Sequence, residues 1–242
     1  MRGFFIWYLK MRTSSTSLKI KKIVTIAIFC ALAYLSLFVF RISGIGGFLT
    51  FDIKDTIVAL AAMIFGPITG VIISLVVALI EMVTVSGTGP WGFLMNFVAT
   101  AVFSAVASLV YAHFPKIKKT ISGAVVGLLF AVVSMTLVMI VMNLFVTPIY
   151  YGIPRSAVVD MLVPLLIPFN LIKAVLNASA VLVLYKPIKE ALRRAKLIEG
   201  SSENYKFGKT SIILTVCGVV IIAVCVVLLI VALNGSFQII KK

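Results

Sequence analysis

The chain has 242 residues, of which 62% are hydrophobic and only 12% charged, with a formal net charge of +15. A mean hydropathy of +1.21 excludes an ordinary soluble domain, which is nearer half apolar and a quarter charged. The basic residues flank apolar runs, as topology-setting loop charges do, and this argues against a nucleic-acid surface.

Several apolar runs approach or exceed the roughly 20 residues of a spanning helix, and strand-like alternation is absent. The expected fold is therefore an all-α integral membrane bundle packed as one domain. Residues 1–22 form a basic segment, expected on the cytoplasmic side. The first run, Ile23–Phe40, is long and lacks a small-x-small cleavage site, so it predicts a retained helix and not a signal peptide. A glycine-rich loop from Arg41 to Lys54 follows.

The next apolar stretch, Asp55 to Val83, is long for one span and short for two, and Gly66-Pro67 breaks it. Splitting it there makes seven segments. With the N-terminus inside, the basic clusters at 19–22, 116–119 and 186–209 all fall on the cytoplasmic side. An unsplit stretch would move the second and third clusters outside, against the positive-inside rule. The split predicts helices 2 and 3, helix 2 being short for a whole bilayer. Helix 4 is expected over Gly92–His113, helix 5 over Thr120–Val146 and helix 6 over Val158–Lys186. The membrane domain is drawn over 23–196, a cytoplasmic linker over 197–210, an additional helix over 211–234 and a short tail over 235–242.

Helix 6 holds the most informative residues. Asn170, Lys173 and Asn177 fall at i, i+3 and i+7 and so share one face. A charge at membrane depth is expensive and normally faces a cavity or a partner. Lys173 is far from Tyr185-Lys186, the next polar cluster, which makes snorkelling to the inner surface a poor account of it. Pro164 and Pro168 each remove a backbone donor, so a bent or late-starting helix beside a cavity is expected. On helix 5, Asn143 can hold a heterocycle edge or bond a neighbouring helix; the residues alone leave both open. Tyr150 and Tyr151 read as interfacial belt residues first, with ligand contact second.

The outer loops contain Gly44, Gly46 and Gly47 before Asp52, and Gly87, Gly89 and Pro90 before Trp91. Such loops can close over a cavity mouth. Trp91 can stack on a planar ligand or sit in the interfacial belt, and Asn96 lies near the start of helix 4. Glu81 is expected to reach the outer interface, in preference to pairing with Lys173 or meeting a ligand. Ala27 and Ala31 on helix 1, like Gly123 and Gly127 on helix 5, are small residues four apart that permit close helix approach. Cys30, Cys217 and Cys225 lie inside apolar runs without C-x-x-C spacing and read as core residues. No nucleotide-binding loop, H-E-x-x-H motif or nucleophile–base pair is present, so an enzyme is not expected, nor a metal or cofactor.

Phe51-Asp52-Ile53-Lys54-Asp55, Phe65-Gly66-Pro67-Ile68-Thr69-Gly70-Val71, Asn143, Thr147-Pro148-Ile149-Tyr150 and Pro168-Phe169-Asn170-Leu171-Ile172-Lys173 together resemble a known family. It is the substrate-binding (S) components of energy-coupling factor (ECF) vitamin transporters, and within it the riboflavin-specific type. The resemblance covers about 23–196. It implies a six-helix bundle with a vitamin pocket near the outer face, in a prokaryotic cell membrane. It also implies a transmembrane coupling protein and two cytoplasmic ATPases as partners, with Ala27 and Ala31 mapping onto the coupling contact. The flavin-contacting positions map onto Asn143, Asn170 and Lys173; Asn177, Tyr150, Trp91, Asn96 and Asp52 complete the expected binding set. The chain departs from the pattern in its final helix. It also departs at Trp91-Gly92-Phe93-Leu94-Met95-Asn96, where a Gly-Glu-x-x-Asn stretch is expected.

A flavin suits such a site, because its ring needs an apolar slot and its pyrimidine edge needs paired donors and acceptors. The expected function is riboflavin uptake without chemical change. The alternatives are another vitamin, such as pantothenate or thiamin, or a non-transport membrane scaffold.

Overall fold

The computed structural model describes residues 2–45, 49–114, 117, 120–198 and 209–234, with side chains described from Lys19 onward apart from 43–45, 209–211, 214 and 229–234. The described residues form seven helices and one hairpin. Helix α1 covers Arg2–Val39, the antiparallel strands β1 and β2 cover Arg41–Ile45 and Leu49–Asp52, α2 covers Lys54–Phe65 and α3 covers Pro67–Thr84. Helix α4 covers Gly89–His113, α5 covers Ile121–Tyr151, α6 runs over Arg155–Arg194 and α7 covers Lys209–Asn234. Five of these are long and apolar enough to cross a membrane: Lys19–Val39 within α1, then α3, α4, α5 and α6.

The expected division at Gly66-Pro67 is present. Gly66 takes φ +107°, a conformation other residues rarely adopt, and Pro67 opens α3 at a position where its missing N–H costs nothing. Lys54 at the start of α2 pairs with Glu81 near the end of α3, so the two helices run antiparallel. Helix α2 has only 12 residues because the hairpin, and not more helix, fills the outer part of its column. The loop expected over Arg41–Lys54 is thus a hairpin in its described part. Gly46 and Gly47 fall outside the described residues.

Other boundaries differ as well. The basic N-terminal segment is continuous with α1 and does not precede it as a separate element. Helix α5 carries Pro148 internally and extends to Tyr151, ending on Gly152 in the left-handed conformation. Helix α6 begins at Arg155 and persists to Arg194, past the expected end at Lys186; residues 199–208 and the tail 235–242 lie outside the described residues. Pro164 and Pro168 do not break α6. The ladder widens into a π-turn over Leu162–Leu166, where the Ile167 N–H donates to the Leu162 carbonyl. One extra residue in the turn accommodates the ring of Pro164, and Pro168 enters the first turn of the resumed α-helix.

Cross-helix hydrogen bonds fix the directions of the bundle. Thr100 donates to Asp55 Oδ1 (2.6 Å) and Ser108 to the Ala62 carbonyl (2.6 Å), so α2 and α4 run parallel. The Tyr111 and Tyr185 hydroxyls meet at 2.7 Å at the far ends of α4 and α6. A Cβ on Gly127 would lie 2.7 Å from the Ala107 carbonyl, so glycine lets α5 lie against α4. The core centres on Val58, Leu60, Ile73, Phe103, Leu128, Met135 and Val181, all buried. The outward faces show Leu35, Leu129, Leu137 and Phe145, as lipid-facing surfaces do.

Candidate functional site

The β1–β2 hairpin, the α3–α4 turn, the start of α4, the second half of α5 and the first half of α6 surround a cavity of about 400 Å³. The hairpin contributes Leu49 and Thr50, the α3–α4 turn Ser86 and Thr88, and α4 Trp91, Met95 and Asn96. From α5 come Met135, Met139, Asn143, Thr147 and Tyr150, and from α6 Phe169, Asn170 and Lys173. Thioethers and aromatic rings make a mostly apolar interior with a few fixed polar groups, the usual composition of a small-molecule site.

Beside Asn96 of α4, Asn143 and Asn170 face this space from α5 and α6. Asn170 donates to the Leu166 carbonyl (2.8 Å) and Asn143 to the Met139 carbonyl (2.7 Å), each one turn back on its own helix. Thr147 donates to Asn143 Oδ1 (3.0 Å). Each carboxamide is therefore clamped in orientation and keeps one N–H and acceptor capacity for a ligand.

Lys173 is 5% exposed, and its ammonium is matched. Nζ donates to Asp52 Oδ2 (2.9 Å) and to the Thr50 carbonyl (3.3 Å), and Asp55 Oδ2 lies 4.0 Å away. Burial by itself would push the Asp52 carboxyl up; the Lys173 and Lys54 ammoniums outweigh it and hold it below the usual carboxylate range. The hairpin thus delivers the counter-ion that makes a membrane-depth lysine affordable.

Asn170 and Lys173 line the cavity as expected from the sequence, with Asn143, Tyr150, Trp91 and Asn96. Asp52 and Asn177 do not. Asp52 lies behind Lys173 as its partner. Asn177 donates to the Asp52 carbonyl (3.1 Å) and the Lys173 carbonyl (3.0 Å), and accepts from the Thr56 N–H (2.9 Å) and hydroxyl (2.7 Å). Both of its donors and its oxygen are consumed by the protein, so nothing remains for a ligand. Its role is a cap supplied in trans: Thr56 is the third residue of α2, whose first N–H groups have no partner within the helix. Glu81 does not reach the outer interface. It is buried and bonded to Lys54.

Met135, Met139 and Thr147 were not among the expected site residues, although with Asn143 they stand four apart on one face of α5, a stripe the sequence contains. Thr50 and the rim residues Ser86 and Thr88 carry no comparable signal. Ala27 and Ala31 lie away from the cavity, exposed on the outward face of α1.

Residues 21–185 match the family described as ECF transporter, substrate-specific component. The riboflavin transporter RibU of Staphylococcus aureus (strain TCH60) is 32% identical over 181 residues, covering 72% of this chain and 93% of that protein. The riboflavin transporter FmnP of Bacillus subtilis (strain 168) is 25% identical over 194 residues, covering 74% of this chain and 100% of that protein. The solved S component of a bacterial ECF transporter superposes with a TM-score of 0.61 at 30% identity, covering 73% of this chain and 99% of that one.

Proposed function

The chain belongs to the family of ECF transporter substrate-specific components, and from that premise we propose that it captures riboflavin for uptake across a prokaryotic cell membrane. It is a multi-pass membrane protein and a transporter subunit, not an enzyme. The observation that carries the riboflavin reading is the pairing of Asn143 on α5 with Asn170 and Lys173 on α6 across one apolar cavity of about 400 Å³.

Three features of a flavin find counterparts there. The ring system occupies the slot among Met95, Met135, Met139 and Phe169. The carboxamides, each with donor and acceptor capacity left, pair with the pyrimidine edge. Lys173 and Asn170 serve the ribityl hydroxyls. Trp91 and Tyr150 close the mouth, and Asn96 adds a polar contact on the α4 side. Among the described residues no acid lines the cavity wall, which disfavours cationic thiamin.

The cavity end is the outer face, which puts the N-terminus, Lys186, Lys189, Arg193 and Arg194 in the cytoplasm. Helices α1 to α6 are the binding core, and α7 is an addition to it. A transmembrane coupling protein with two ATPases powers release inward, docking on the exposed Ala27–Ala31 face of α1. Purification in detergent, an absorption spectrum and a riboflavin fluorescence titration test the reading. Bound yellow flavin, or saturable quenching that pantothenate and thiamin do not compete away, is expected. A colourless protein that leaves riboflavin fluorescence unchanged overturns it.

A further inference from the structure

Helix α7 lies beyond the residues that match the family and packs on α6. Over 212–228 its described side chains divide cleanly. Gly218 and Cys225 are buried, Thr215 and Ile222 half-buried, and every other one is exposed. The spacing 215, 218, 222, 225 is the three-four repeat of a helix–helix seam.

Helix α6 carries a matching row: Phe169, Ile172, Leu176, Ser179 and Val183, again three and four apart and all buried or half-buried. A Cβ on Gly218 would lie 2.8 Å from Val183 Cγ2 and 3.2 Å from the Ser179 carbonyl, so the two backbones touch there and only glycine fits. Two turns further on, Cys225 is buried in the apolar cluster that holds Phe169 and Leu176, with Ile172 packed at its edge.

The site residues Asn170, Lys173 and Asn177 occupy another face of α6. At 3.6 residues per turn their mean direction is roughly a third of a turn from the seam. Helix α6 is therefore gripped between α7 and the site. It also has a weak point immediately before Asn170, the π-turn at Leu162–Leu166, where the regular ladder is interrupted.

We infer that α7 is a positioning element of the site: its seam sets the rotation of α6 below the π-turn, so that Asn170 and Lys173 stay aimed into the cavity and bound ligand is retained. In lipid, burial of apolar area gains little, and close packing of the kind Gly218 allows is what holds two helices together. A helix without that grip can roll about its axis at the π-turn, and a roll of a fraction of a turn withdraws both polar groups at once.

The ligand arm of the test rests on the riboflavin reading; the exchange arm does not. Gly218→Leu in the full-length protein wedges the seam open, Ile222→Ala thins it, and Val220→Leu alters an exposed position. Two quantities are read in nanodiscs: the riboflavin dissociation rate, and amide exchange over 167–173 without ligand. Gly218→Leu should speed dissociation about tenfold and Ile222→Ala about threefold, mostly through the off-rate, while Val220→Leu changes neither quantity. Exchange over 167–173 should rise in the same order. If the parent protein fails to bind riboflavin, the riboflavin reading fails and the exchange arm still decides. Parental exchange and dissociation in both seam variants, or the same rise in Val220→Leu, overturns the positioning role.

Discussion

Lys173 Nζ stands 2.9 Å from Asp52 Oδ2, joining the middle of α6 to the last residue of β2 beneath the cavity. The pair connects ligand binding to the hairpin, because the same ammonium also bonds the Thr50 carbonyl and Thr50 lines the cavity. Removing one partner of a buried pair leaves an uncompensated charge, which typically costs about 3–5 kcal/mol, whereas removing both costs far less. Asp52→Asn should therefore lower thermal stability more than the Asp52→Asn, Lys173→Met double variant does. Riboflavin affinity should fall in both. A double-mutant cycle on melting temperature and on affinity checks the two parts, and equal stability of the single and double variants would show that the charges are not coupled.

Asn143 and Asn170 are clamped by bonds within their own helices, so their contribution to the fold is small and their contribution to a ligand large. Asn170→Leu and Asn143→Leu should each weaken riboflavin binding by about 1.5–3 kcal/mol, roughly ten- to a hundredfold, since the ligand's polar edge is left unpaired in a dry site. The ligand-free protein should melt within a few degrees of the parent. Titration by fluorescence quenching beside a thermal scan separates the two effects.

The local chemistry of the site was legible in the sequence, and its long-range partners were not. A lysine and two amides on one face of an apolar helix announce themselves, because a charge at membrane depth has few explanations. Gly66-Pro67 announced a turn for equally local reasons. The sequence did not reveal that Asp52 would meet Lys173 or that Lys54 would meet Glu81, since such pairs depend on how helices are set side by side. Glu81 near a helix end looks the same whether it reaches headgroups or a buried ammonium. The hairpin was hidden because Arg41–Ile45 and Leu49–Asp52 have only five and four residues, too short for their alternation to stand out from a loop. Asn177 shares the face of Asn170 and Lys173 by helical spacing, yet one further turn inward carries it past the cavity floor to the start of α2.

That difference in depth separates the asparagines experimentally. Asn177→Leu removes two bonds to Thr56 and one to the Asp52 carbonyl, and leaves the first turn of α2 without its cap. A buried cap of this kind is worth about 1–2 kcal/mol, and Thr56 is left with its longer bonds alone, its N–H to the Ile53 carbonyl and its hydroxyl to the Asn177 carbonyl (both 3.2 Å). Asn177→Leu should lower the melting temperature clearly, while the fraction that remains folded binds riboflavin far better than Asn170→Leu does. Unchanged stability with lost binding would instead place Asn177 in contact with the ligand.

The exposed alanines of α1 make the opposite combination. Ala27 and Ala31 touch neither the cavity nor the ion pairs, and their side chains face outward among Val24, Ile28 and Leu35. Small residues four apart on an outward membrane face permit close approach by another helix, and a large side chain there holds the partner away. Ala31→Phe should therefore leave riboflavin affinity and thermal stability of the isolated chain at parental values, yet abolish ATP-dependent riboflavin uptake when the chain is co-expressed with an ECF module. Pull-down of the coupling protein and vesicle uptake measure the two sides of this statement. Phe145, equally exposed on α5, supplies the control: Phe145→Ala changes lipid-facing bulk elsewhere on the bundle and should leave uptake intact, which distinguishes a docking face from a general sensitivity of the membrane surface.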